Sequence, residues 1–249
     1  MARSTNKFTS SISHALTEMF APTCRCLACG KDVFDGTGFC AECAKSVVYN
    51  NGKTCARCGV GIDGDEDYCG NCAYDKMYFD RAYSVFNYEG AVQKAILSMK
   101  FNNLGSYAKV FATYLVFMAQ KVNLEYDIVT YAPMSPKSLR KRRYNQAKLL
   151  AKHFCALQNK DSLLIDAILK QKETLAQEQL SKTERKTNLI GAYKINADVK
   201  GKRVLVIDDV KTTGATLNEC AKVLKQAGAI AVYGLTVAAR KEHFDYEQN

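Results

Sequence analysis

No uninterrupted apolar run in this 249-residue chain approaches the roughly 18 residues of a membrane-spanning helix, although 47% of its residues are apolar. The first residues carry Ser, Thr, His and Glu where a secretory leader needs an apolar core, so the sequence places the protein in the cytoplasm without a transmembrane segment. Histidine is scarce, and His14, His153 and His243 lie in ordinary helical or tail sequence that assigns them no role. Acidic residues are outnumbered, but unevenly. Residues 1–80 hold 8 Lys and Arg against 10 Asp and Glu, whereas residues 81–249 hold 27 against 15. The basic excess therefore belongs to the second part. It suits anionic partners, either nucleic acid or phosphorylated metabolites, or else a solvated basic surface.

Cysteine is what the chain has in abundance. Nine of the eleven fall between positions 24 and 72, and eight of these form four CxxC pairs: Cys26/Cys29, Cys40/Cys43, Cys55/Cys58 and Cys69/Cys72. Ten residues separate the pairs in each half, so the segment is an internal repeat. Each half supplies four thiolates, the set for one tetrahedral zinc, with Gly30 and Gly59 letting the knuckle backbone turn toward the sulfurs. A disulfide framework needs an oxidising compartment, and a redox centre of the thioredoxin kind needs a single CxxC at a strand-to-helix junction. An iron–sulfur cluster uses the same ligands, and spacing does not separate it from zinc. Four sulfur ligands leave no open position for a catalytic water, so two closed structural sites are expected, whose metal supplies most of the segment's stability. Cys155 and Cys220 fall in helical patterns and read as small core residues.

Elsewhere, Phe8, Ile12, Ala15, Met19 and Phe20 recur at helical spacing up to Pro22, a short amphipathic helix. From about residue 81 strand-like and helix-like segments alternate. Strands are expected at 127–133, 163–169, 203–209 and 231–238, with a helix around 105–121, and the alternation implies an α/β fold with a mostly parallel sheet. The run VLVI within 203–209 lacks alternating polar residues, as a central strand covered on both faces should.

That strand ends in Asp208 and Asp209, and the following Lys211, Thr212, Thr213, Gly214, Ala215 and Thr216 form a turn that opens a helix. This is the carboxyl end of the sheet, where doubly wound folds bind ligands. Gly214 permits close approach of an anion, the threonine hydroxyls can donate, and the helix N-terminus presents free N–H groups, so the turn reads as a phosphate cradle. Carboxylates beside it would suit ribose hydroxyls or Mg²⁺. The bland reading is an acidic strand end capping a helix.

The string VLVIDDVKTTGAT resembles the PRPP-binding motif of type I phosphoribosyltransferases, and further segments are similar to the ComF family of competence-associated proteins. These are SMKFNNLGSYAKVFA, DIVTYAPMSPKSLRKRRYNQAKLLA, and KETLAQEQLSKTERKTNLIGAY with Thr174, Gln177, Leu180, Arg185 and Asn188. With the amphipathic helix assigned to residues 1–22, the resemblance implies 23–78 as a double zinc ribbon and 79–249 as a phosphoribosyltransferase-like domain. It implies that Asp208 and Asp209 hold the PRPP ribose, that 211–216 wrap its 5′-phosphate, and that Mg²⁺ accompanies the pyrophosphate. The chain departs from the family in three places. It has Val129-Thr130-Tyr131-Ala132-Pro133 for Val-Pro-Val-Pro, Lys172 for Arg, and Arg143 where the family has Gly.

Phosphoribosyl transfer displaces pyrophosphate from an oxocarbenium-like carbon, so the protein must position PRPP and neutralise the leaving group. Lys100, Lys137, Arg140, Lys141, Arg142 and Arg143 offer cations for pyrophosphate or for nucleic acid. Purine-salvage relatives carry Asp where this chain has Thr212, and only about eleven residues follow the last expected strand, too few for a nucleobase hood. Three functions follow: a PRPP-dependent transferase of unknown acceptor, a single-stranded-DNA-binding module using Tyr144 and the basic residues, or a PRPP sensor without turnover. The competence association adds the DNA-uptake helicase machinery as a partner.

Overall fold

The computed structural model describes residues 24–33, 37–101, 106–171 and 191–241. The helix expected within 1–22 lies outside them, as do Lys172, Thr174, Gln177, Leu180, Arg185 and Asn188. The cysteine-rich segment carries little regular structure: an antiparallel pair, β1 (Cys24–Arg25) with β2 (Asp32–Val33), and two short helices, α1 (Ala41–Ala44) and α2 (Gly70–Tyr74). After it come β3 (Arg81–Asn87), α3 (Gly90–Phe101), α4 (Tyr107–Lys121), β4 (Ile128–Tyr131), α5 (Pro136–Arg142) and α6 (Gln146–Ala156). The remainder is β5 (Ile168–Lys170), β6 (Tyr193–Ile195), β7 (Arg203–Lys211), α7 (Ala215–Gln226) and β8 (Ala231–Ala239).

Four strands form one parallel sheet in the order β3-β8-β7-β4. Parallel neighbours cannot be joined by tight hairpins, and helices supply the crossovers. Central β7 shows why VLVI is uniformly apolar. Leu205 and Ile207 enter a core with Val92, Phe111, Leu150 and Phe154, while Val204 and Val206 enter another with Leu217, Ala221 and Leu224. Alternate side chains of one strand thus feed both faces.

The strand expected at 163–169 is the exception. Leu164 makes one isolated parallel bridge to Val129, and the chain then leaves the sheet. Ile168–Lys170 pairs antiparallel with Tyr193–Ile195 as a separate two-stranded ribbon. Ala167 and Ile168 are buried in the core with Val204 and Leu217, whereas Leu169 is exposed.

Each cysteine unit packs on a different core. Leu27, Val33 and Phe39 of the first join the α3–α4 side, with Tyr114 Oη donating to Thr37 O at 2.7 Å. Val60 and Ile62 of the second join the α7 side. There the knuckle lies on the sheet: a Cβ at Gly59 would stand 2.3 Å from Ala82 O on β3, and Gly59 has φ of +67°. No helix among the described residues is long and apolar enough to cross a membrane.

Candidate functional site

The carboxyl ends of all four parallel strands open into one cleft of about 440 Å³. Tyr88 follows β3, Arg240 follows β8, Ala132 and Ser135 follow β4, and Asp208, Asp209, Thr212 and Thr216 belong to β7 and its turn. Lys100 from α3 and Lys170 and Tyr193 from the β5–β6 ribbon complete the wall.

The paired acids are oriented by the backbone. Asp208 Oδ1 accepts from the Asp209 N–H at 2.8 Å, and Asp209 Oδ1 accepts from the Val210 N–H at 2.7 Å. Lys100 Nζ lies 3.2 Å from Asp209 Oδ2, so this cation sits on the acids. Burial pulls the Lys100 ammonium down, but the carboxylates of Asp209 and Asp208 more than reverse this and hold it above its ordinary value. Asp208 is pushed up to about 8, first by burial and then by the neighbouring Asp209 charge. Tyr193 shares a hydrogen bond with Thr216, and burial raises its phenol well above the usual range.

The turn adopts the conformation its sequence asks for. Gly214 stands at the N-terminus of α7 with φ of +79°, a left-handed dihedral that disfavours a side chain. Thr213 Oγ1 accepts from the Ala215 N–H at 3.3 Å, whereas Thr212 and Thr216 face the cleft. Lys211 departs from the expected cradle. The residue is 6% exposed, its side chain passes Gly214, and Nζ donates to Cys58 Sγ at 3.4 Å.

Of the basic cluster, Arg142 lines the cleft, with its guanidinium 5.2 Å from the Phe101 ring centroid. Lys137, Arg140, Lys141 and Arg143 are exposed and lie outside the cleft wall. Tyr144 is tied down, its hydroxyl donating to Met99 O. Arg143 ends α5 in the left-handed region with φ of +66°. A glycine here would adopt that dihedral freely, and arginine cannot without strain. Arg143→Gly is expected to stabilise the protein by about 1 kcal/mol. Urea denaturation checks this, and an unchanged or lower midpoint would show that the Arg143 side chain offsets its backbone strain.

The eight CxxC cysteines converge as two quartets. Within Cys26, Cys29, Cys40 and Cys43, and within Cys55, Cys58, Cys69 and Cys72, the Sγ atoms lie within 4.8 Å of one another. Cys29 and Cys40 Sγ stand 3.7 Å apart and Cys58 and Cys69 Sγ 3.6 Å, too far for disulfides. A tetrahedron of Zn–S bonds of about 2.3 Å has an edge of about 3.8 Å, so the donors fit one ion per quartet. The knuckle amides support the arrangement: Gly30 N–H donates to Cys26 O at 2.8 Å and Gly59 N–H to Cys55 O at 2.9 Å. The quartets differ in cover, since the second is wholly buried and Cys29 of the first is exposed.

Several cleft residues are absent from the sequence reading. Arg240 and Tyr88 follow parallel strands and were open to the same argument that found Asp208. Lys170 and Tyr193 carry no such signal, because their ribbon is not part of the sheet. Gln146 joins them in the wall. It is 2% exposed, and Nε2 has no hydrogen-bond partner among the described residues.

Residues 15–73 match the double zinc ribbon domain, and residues 147–244 the phosphoribosyl transferase domain. Competence protein F of Haemophilus influenzae is 28% identical over 225 residues, covering 86% of this chain and 97% of that protein. DNA utilization protein YhgH of Salmonella typhimurium is 29% identical over 205 residues, 78% of this chain and 87% of that one. Competence protein ComFC of Streptococcus pneumoniae is 30% identical over 146 residues, 59% of this chain and 62% of that one.

Proposed function

The chain belongs to the ComF family, a double zinc ribbon with a phosphoribosyltransferase domain, and we propose that it binds PRPP with Mg²⁺ in the cleft at the carboxyl edge of its sheet. The observation that carries this reading is the conjunction of two oriented carboxylates with a left-handed glycine turn on one central strand, all in one cleft. Asp208 and Asp209 take the ribose hydroxyls. Thr212, Thr216 and the N-terminal end of α7 take the 5′-phosphate. Arg142 takes pyrophosphate, whose charge Mg²⁺ shares. Asp209 keeps Lys100 beside the reacting carbon, where a cation favours departure of an anion. Each cysteine quartet holds one structural zinc that supplies folding energy and no chemistry. The relatives' names, competence protein and DNA utilization protein, support handling of DNA as the setting.

Calorimetric titration of PRPP with and without Mg²⁺, with pyrophosphate monitored, tests the reading. Saturable Mg²⁺-dependent binding is expected, and no binding at millimolar PRPP would sink it. The affinity should also depend on pH. Asp208 titrates near 8 and must be a carboxylate to accept two ribose donors, so binding strengthens as pH rises from 6.5 and levels off above about 8.5. Stability runs the other way. A folded-state value raised above the ordinary carboxylate value of about 3.9 contributes stability below that pH, and the contribution is lost as pH rises through 8. A flat affinity profile would remove Asp208 from the ribose site.

A second reading rests on α5, whose Lys137 and Arg140 are exposed outside the cleft. This basic face and the name of the DNA utilization relative support contact with single-stranded DNA. Such binding should weaken steeply with salt, and it should survive loss of PRPP binding.

A further inference from the structure

We infer that Lys211 serves the second cysteine centre rather than the phosphate, and that through it the metal in that centre positions the ribose-phosphate turn. The observation is the hydrogen bond from Lys211 Nζ to Cys58 Sγ, made across 153 residues of sequence by a lysine that is 6% exposed. A buried ammonium needs an anionic partner, and a metal-bound thiolate, which keeps part of its charge, supplies one. The quartet Cys55, Cys58, Cys69 and Cys72 fits one tetrahedral ion, and Lys211 is then an outer partner of one ligand sulfur.

Lys211 lies two residues after Asp209 and immediately before the 212–214 turn. Its backbone is held as well, with Lys211 O accepting from the Arg240 N–H at 3.0 Å. A second tie reaches the far side of the turn. Asn218, on the first part of α7, accepts from the Tyr78 N–H at 2.6 Å and donates to Lys76 O at 3.3 Å, both in the segment that follows Cys72. The second cysteine unit therefore grips the chain before and after the turn, while its knuckle rests on β3 through Gly59. An ion that fixes Cys58 fixes Lys211, and with it the exit of β7. The first centre makes no such contact among the described residues and packs instead on α4.

The inference rests on the PRPP reading for its ligand arm only. In the full-length protein, Lys211→Met is expected to release the second zinc to a colorimetric chelator about tenfold faster, with the first zinc unaffected. The same variant should bind PRPP at least fivefold more weakly, and Lys211→Arg should restore both to within about twofold. Weaker PRPP binding with unchanged zinc release would make Lys211 a direct phosphate ligand and overturn the inference. Faster zinc release with unchanged PRPP affinity would also overturn it. Stepwise chelation of the unmodified protein decides the matter if Lys211→Met does not fold. PRPP binding should survive loss of the first, more exposed zinc and vanish with the second. Loss with the first, or survival without either, contradicts the coupling. If the unmodified protein binds no PRPP, the ligand reading fails by itself, and the release rates still judge the Lys211–Cys58 contact.

Discussion

Asp209→Ala is expected to weaken PRPP binding at least a hundredfold while leaving the melting temperature within about 3 °C of the parent. A hundredfold is about 2.8 kcal/mol, close to what hydrogen bonds to a buried charged acceptor are worth, at about 1.5–3 kcal/mol each. The side chain is 11% exposed and its carboxylate already accepts from the Val210 N–H, so it is held in place before any ligand arrives. Alanine removes that preorganised acceptor and also the partner of Lys100. The fold tolerates the loss because two adjacent acids oppose each other. With Asp209 gone, part of what raises Asp208 disappears, and Asp208 is left to face Lys100. Asp209→Asn should behave similarly in binding, since it keeps the shape and loses the charge. PRPP affinity within threefold of the parent in either variant would remove Asp209 from the site, and a collapse in melting temperature would make its role structural.

Cys72→Ser should do the reverse, with its largest effect on stability. Elemental analysis is expected to find one zinc per chain instead of two, and the melting temperature to fall by more than about 10 °C. The apparent zinc-binding free energy of a Cys-rich site is about 10–16 kcal/mol, and an entire domain is held by about 5–15 kcal/mol. The second centre has no separate core to fall back on. Cys55, Cys58, Cys69 and Cys72 share one cluster with Val206, Leu217 and Leu224, so loosening the centre opens the α7 face of the sheet. Cys29→Ser makes the comparison. Cys29 is exposed, and its unit is still anchored by Leu27 and Phe39 against α4, so that variant should lose one zinc with less than half the thermal penalty. Equal penalties would contradict the unequal integration of the two units.

The site was legible where its chemistry is local in sequence. CxxC spacing determines which thiols can meet one ion, and the quartets form as the spacing implies. Four apolar residues followed by two acids mark a buried parallel strand and its carboxyl end, and β7 follows that pattern. The run at 163–169 shows the limit. An apolar run reads the same whether it joins the sheet or pairs outside it, so pattern could not tell that the chain turns away after Leu164. Lys211 shows another. Its place in a phosphate-like turn suggests a phosphate contact, and nothing near it in sequence reveals that the side chain reaches a cysteine 153 residues away. Lys100 is similar, because its role is set by α3 ending against Asp209. Arg143 was flagged only as a departure from a resembled pattern, and nothing in the sequence shows that it takes a left-handed dihedral that glycine would adopt freely.

The strand order carries a consequence for how the protein is made. β3, the earliest strand of the parallel sheet, pairs with β8, the latest, with Arg81 opposite Tyr233. Ribosomes extend a chain at about 5–20 residues per second, so β3 waits on the order of ten seconds for its neighbour to emerge. The cysteine pairs emerge before β3, and the second unit's apolar cover on α7 emerges almost as late as β8. During that interval reduced thiols and Gly59's resting place on β3 are open to water, and metal capture by the nascent chain is what would keep the unit from oxidation and misassembly until the sheet closes over it.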